Sequence, residues 1–119
     1  MFSFENLQVW HESRSLVKRV YSLLTKFPPE ERFAICDQLR RAVVSVPTNI
    51  AEGTSRFSDK DKAHFIEISY GSLCETYNLL VIACDLNYIT NEELEDQRFQ
   101  IESIGKMLSK LRSSLLGPK

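Results

Sequence analysis

From about Asn6 to Lys26 the apolar positions Leu7, Trp10, Val17, Val20, Tyr21 and Leu24 recur at spacings of three and four, while Arg14, Lys18, Ser22 and Lys26 run along the other side. That period marks an amphipathic helix with one face on a core. Phe27-Pro28-Pro29 interrupts it. Pro29 followed by Glu30 and Glu31 suits a helical first turn, where a missing N–H costs nothing and carboxylates meet the positive end of the dipole. A second helix is expected from here to about Glu52, with Gly53 as its stop. Ser58 and Asp61 have capping-box spacing and open a third helix over about Asp59 to Leu86. Thr90 with Glu93, and Ile89 with Leu94, supply a capping box and a hydrophobic staple for a fourth. It carries Leu94, Ile101, Ile104, Leu108, Leu111 and Leu115 at coiled-coil spacing, with acidic groups at its start and Lys106, Lys110 and Arg112 near its end.

The strand competitor, Tyr77 to Cys84, lies inside the third helical pattern with no turn residues at its edges. Gly117 and Pro118 punctuate the end of the chain. Short joints between long helices make sequential helices antiparallel neighbours. The fold class read from the chain is therefore all-α, an up-down-up-down four-helix bundle forming one domain over residues 1–119.

The third helix carries more apolar surface than one bundle absorbs. On a wheel at about 100° per residue, Lys60, His64, Glu67, Gly71, Glu75, Asn78 and Asp85 share one narrow polar strip. Phe65, Ile68, Leu79 and Leu86 can fill the bundle core, and Ile66, Tyr70, Leu73, Tyr77, Leu80, Val81 and Cys84 project over the rest of the circumference. Such a surplus face predicts a partner surface, most simply another copy of the chain. A thicker core with this helix at its centre is the alternative.

In the second helix Gln38, Arg41, Ser45, Asn49 and Glu52 line one face, with Arg40 beside them. Pro47 removes a backbone hydrogen bond there and implies a kink that packing compensates. Ala42, Ser45, Ala51 and Gly53 are small enough for close helix approach. This ridge can form a hydrogen-bonded seam between subunits, with Arg41 and Glu52 available to pair, or it can recognise phosphate or a base edge.

The formal charge of −1 excludes a uniformly basic nucleic-acid binder, but it is unevenly spread. Residues 1–62 carry ten basic and eight acidic groups, residues 63–98 one and seven, and residues 99–119 four and one. Cys36, Cys74 and Cys84 have no C-x-x-C spacing and read as small buried hydrophobes, not as a disulfide framework or zinc ligands. The longest apolar run, Leu79 to Cys84, is far short of the ~20 residues that cross a bilayer. The N-terminus lacks a basic, apolar signal. A cytoplasmic location without membrane attachment is expected.

The run from Gln38 to Gly53, Gln-Leu-Arg-Arg-Ala-Val-Val-Ser-Val-Pro-Thr-Asn-Ile-Ala-Glu-Gly, resembles the signature of the four-helix bundle proteins encoded by intervening sequences within bacterial 23S ribosomal RNA genes. Phe27-Pro28 with Glu31, Arg56, Phe65, Gly71-Ser72-Leu73 with Glu75, and Leu86-Asn87-Tyr88-Ile89 extend the likeness over nearly the whole chain, and Ser69 stands where the family often has Ala. The resemblance implies a left-turning bundle of four antiparallel helices assembled as a homopentamer. Relatives include the accessory protein of diversity-generating retroelements, which associates with a reverse transcriptase and with nucleic acid, so RNA or ribonucleoprotein binding is the implied activity.

Catalytic signals are thin. Asp61-x-x-His64 has no second copy to build a di-iron site, His11 and His64 sit on polar faces, and Gly53, Gly71, Gly105 and Gly117 each stand alone, so no phosphate loop is present. No enzyme, cofactor, metal or small-molecule substrate is expected. An RNA-associated adaptor and a protein-interaction scaffold remain. Arg14, Lys18, Arg19 and Lys26 with Lys106, Lys110 and Arg112 decide between them: convergence on one surface makes a phosphate-binding stripe, and dispersal among acidic neighbours favours the scaffold.

Overall fold

A computed structural model describes residues 1–117. Four long helices, α1 (Gln8–Leu24), α2 (Ile35–Thr54), α3 (Asp59–Asp85) and α4 (Asn91–Leu116), pack against one another, with short 3-10 turns at Ser3–Asn6 and Pro29–Glu31. Each helix touches two neighbours, in the cyclic order α1, α2, α3, α4 and back to α1. No strand occurs among the described residues, so Tyr77 to Cys84 is helical. Pro118 lies outside the described residues.

Local chemistry sets the helix ends. Thr90 accepts a hydrogen bond from the Glu93 N–H, and Glu93 accepts one from the Thr90 N–H, closing the box expected there. Ser58 accepts from the Asp61 N–H, but Asp61 does not reciprocate. At the other end of α3, Asn87 takes a left-handed φ of 64°, its N–H donates to the Cys84 carbonyl, and the Tyr88 N–H donates to Ala83. This Schellman closure satisfies carbonyls that the helix end would leave open. The Tyr88 hydroxyl then donates to Glu31 at 2.7 Å and its ring packs on Phe27, tying the α1–α2 link to the α3–α4 link. The Glu31 carboxylate holds the Tyr88 phenol above its usual pKa.

Two boundaries of the second helix differ from expectation. Pro29 opens only a single 3-10 turn, after which Ala34 (φ −114°, ψ −108°) leaves helical space, and α2 begins at Ile35. Gly53 does not end the helix, which continues to Thr54. Its role is proximity: a Cβ there would lie 3.0 Å from Phe65 Cβ and 3.4 Å from the Lys62 carbonyl oxygen.

The core is built from Leu16, Val20, Leu39, Val43, Val46, Ile50, Leu80, Ile104 and Leu108, all fully enclosed. The expected orientation of α3 is corrected by it. Ile66, Leu73 and Leu80 belong to the interior of the single chain, while Ile68 and Leu86, expected inside, are 39% and 48% exposed. Tyr77, Val81 and Phe65 are half-buried and Tyr70 is exposed. The reason is that α3 packs against both α2 and α4, so its buried face points between them. Among buried polar side chains, Ser13, Ser69 and Thr76 donate to backbone carbonyls, and Gln97 Oε1 is left without a partner among the described residues.

Candidate functional site: interaction surfaces of the bundle

The ridge of α2 divides along its length. Ser45 Oγ lies 2.8 Å from Ser72 Oγ on α3, and Asn49 Nδ2 donates to the Ser45 carbonyl at 2.8 Å and to Ser45 Oγ at 2.7 Å. Ser69 donates to the Val46 carbonyl at 2.8 Å. This middle section is a seam within one chain, because small residues on both helices bring the backbones close. Gln38, Arg41 and Glu52 remain exposed. Arg41 and Glu52 do not pair with each other: Arg41 reaches Asp37 at 3.3 Å, and Glu52 reaches Arg56 at 3.7 Å. Arg40 donates to the Arg32 carbonyl at 2.8 Å. Pro47 is buried within a helix that runs unbroken to Thr54, on the side facing α1.

The seven basic side chains singled out above do not converge. His11, Arg14, Lys18 and Arg19 border a broad open groove of about 670 Å³ on α1, floored by Val44 and Pro47 of α2. Lys106 lies across the molecule, in the α3/α4 groove. Three of the seven are engaged at home: Lys26 with Glu93, Arg112 with Glu67 at 2.8 Å, and Arg19 with the Gln100 side-chain oxygen at 2.9 Å. The guanidinium beside Glu67 holds that carboxyl below its ordinary pKa. Arg14, Lys18, Lys106 and Lys110 have no carboxylate partner among the described residues. Arg14 stacks over Trp10 at 4.6 Å.

The second surface is the seam between α3 and α4. Tyr70, Leu73, Cys74 and Tyr77 face Arg98, Ile101, Glu102, Gly105 and Lys106 across a groove of about 580 Å³. Of the apolar residues expected to meet a partner, Tyr70 and Tyr77 border this groove together with the buried Leu73. Arg98 is bound to Glu102 at 2.9 Å and to Glu95 at 3.5 Å, and Glu102 pushes its pKa up.

Cys36 is buried, and burial pushes its thiol up, which keeps it protonated. Cys74 is exposed and Cys84 half-buried, so only Cys36 fits the expected buried class. Cys84 sits at the edge of α3 and donates its S–H to Asn91 Oδ1 at 3.1 Å. His11 is exposed and pairs with the Glu5 carbonyl at 2.7 Å. Among the described residues no three acidic, histidine or cysteine side chains gather as a metal site. No described helix is long and apolar enough to cross a membrane. The exposed Ile68, Ile82 and Leu86 lie three, four and seven residues from one another or from Gly71, Glu75 and Asn78 of the polar strip, and that shared spacing is the local signal that sets them outward.

No curated protein matches the chain. Among solved structures, a protein with unknown function from the S23 ribosomal protein family of Bacteroides thetaiotaomicron VPI-5482 superimposes with a TM-score of 0.81 at 24% identity, covering 88% of this chain and 98% of that one. That likeness establishes a shared fold. The model of the 23S rRNA-intervening sequence proteins matches residues 5–110, nearly the full run of helices described above. The chain belongs to the 23S rRNA-intervening sequence protein family.

Proposed function

We propose that this chain is a non-catalytic assembly module, an up-down bundle that works as a homo-oligomer of five copies and serves as a protein-interaction scaffold. The observation that carries this reading is the outward side of α3, where Ile68, Ile82 and Leu86 stand 39 to 48% exposed on one helix of a small domain. Apolar surface of that kind, repeated along a helix, marks a contact with another macromolecule. The measurement is absolute mass by light scattering at micromolar concentration. A mass several times 13.8 kDa is expected, and a stable solitary subunit would overturn the reading.

A second reading, an RNA- or ribonucleoprotein-associated adaptor in the cytoplasm that also meets a nucleic-acid enzyme such as a reverse transcriptase, is favoured by membership of a family named for 23S rRNA. Arg14 and Lys18, interleaved with Trp10 and Tyr21, support it, and an oligomer would multiply them. Dispersal of the remaining basic groups puts it second. Titration of a labelled single-stranded RNA from low to moderate salt tests it: binding that weakens steeply with salt supports it, and flat, negligible binding removes it.

A further inference from the structure

We infer that the outward side of α3 in one copy receives the α1 stripe of a second copy of this chain, in a head-to-tail contact. This rests on the oligomeric reading above and adds which two surfaces meet.

Beyond its first two turns, which carry Lys60 and His64, the receiving side is apolar and acidic. Ile68, Ile82 and Leu86 stand exposed along it, and Glu75 and Asp85 lie among them with no cation partner among the described residues. Not one Lys or Arg occurs from residue 63 to residue 97. Between Ile68 and Glu75 lies Gly71, exposed, with nothing within 4 Å of where a Cβ would be. A glycine inside a helix is less stable than alanine by about 1 kcal/mol, and no neighbour in the subunit occupies the freed space. Gly53 is explained by Phe65 against it, whereas Gly71 is explained by a backbone that approaches from outside the chain.

The inserting side is aromatic and basic. On α1, Arg14, Lys18 and Tyr21 stand exposed at spacings of four and three, so Tyr21 turns away from the core face expected for it, and the half-buried Trp10 lies beneath Arg14 and Phe4 at the head of the stripe. Tyr21 is 42% exposed, and Arg14 and Lys18 have no carboxylate of their own among the described residues. Arg19 and Lys26, bound to Gln100 and Glu93, are already committed within the chain.

Charge chooses the partner. Pairing two α3 surfaces would set Glu75 and Asp85 against themselves, and pairing two α1 stripes would oppose Arg14 and Lys18, both of which like-charge repulsion disfavours. Setting α1 on α3 opposes unlike charges and covers aromatic and aliphatic surface together. The two helices are not neighbours in the bundle, so every copy can give and receive at once. A contact between two different surfaces repeats around an axis and closes a ring when the rotation permits.

The test is charge exchange at exposed positions, read by mass in solution, with helical content checked by circular dichroism. R14E/K18E and E75K/D85K should each fall from the wild-type mass towards 13.8 kDa, and the quadruple variant should regain the assembly. Wild-type mass in both double variants, or a quadruple variant that stays dissociated, would overturn the inference. So would R14E/K18E at full mass with lost binding to single-stranded RNA, since the α1 stripe would then serve nucleic acid. A monomeric wild type sinks the oligomeric reading itself, whereas an oligomeric wild type indifferent to the swaps sinks only this assignment of surfaces.

Discussion

Helix α3 has two neighbours and meets them in opposite ways. Against α2 the contact is close and partly polar: Ser45 touches Ser72, Ser69 donates to the Val46 carbonyl, and Gly53 leaves room for Phe65 and no more. Against α4 the seam opens outward into a groove of about 580 Å³ bordered by Tyr70 and Tyr77. Both seams contain a glycine. At Gly53 an added Cβ would crowd Phe65 Cβ at 3.0 Å, but at Gly105 it would meet Leu73 and Tyr70 at an ordinary 3.6 Å. A glycine met by its neighbour's Cβ and backbone lets the helices close, and a glycine met only by the far ends of long side chains leaves a channel.

The sharpest way to break this comparison is Gly53→Leu, which forces a branched side chain into the closed seam. It should cost about 3 kcal/mol, the upper part of the range for overpacking, read as a lower urea midpoint at unchanged slope. A loss of only a few tenths would mean that the α2/α3 seam is looser than its contacts suggest. Ser69→Ala removes one buried donor from the same seam and should cost about 1 kcal/mol. Gly105→Ala goes the other way: it improves helix propensity without a clash, and a gain of about 0.5–1 kcal/mol in thermal or urea stability is expected.

The smallest effect concerns the ion pair that spans the open seam, Glu67 with Arg112. Glu67 is held below its ordinary pKa by the Arg112 hydrogen bond and charge, so its contribution is present above an unfolded value of about 4.3 and disappears as pH falls through the lower folded value. Both side chains are about half exposed, so solvent screens the pair. Glu67→Gln should slightly lower stability near neutrality and leave it unchanged at acid pH, where Glu67 is protonated in both states, so the acid limb of the stability profile flattens. A larger change at acid pH than at pH 7 would contradict the assignment.

How much of this was legible depended on range. The Thr90 and Glu93 box and the Ser58 cap could be read directly, since each bond spans three residues. The start of α2 at Ile35 is not legible locally, because Pro29 has the same first-turn preference in a 3-10 turn as in an α-helix. Gly53 looked like a stop because a buried close approach and a C-terminal cap both call for glycine. The ridge read as a possible intersubunit seam proved to place Ser45 and Asn49 inside the chain, because only the packing of α3 shows where Ser72 lies.

The chain by itself determined that there are four helices and where three of their ends fall, because helix period and capping are settled within a turn or two. It also carried a family signature, which requires no knowledge of packing. The polar strip of α3, Lys60, His64, Glu67, Gly71, Glu75, Asn78 and Asp85, already marked its outward side, and all seven are exposed; only the tertiary structure decided which of the flanking apolar residues are inside. That helix is apolar around most of its circumference, so burying Ile66, Leu73 and Leu80 and exposing Ile68, Ile82 and Leu86 is settled by where α2 and α4 lie against it.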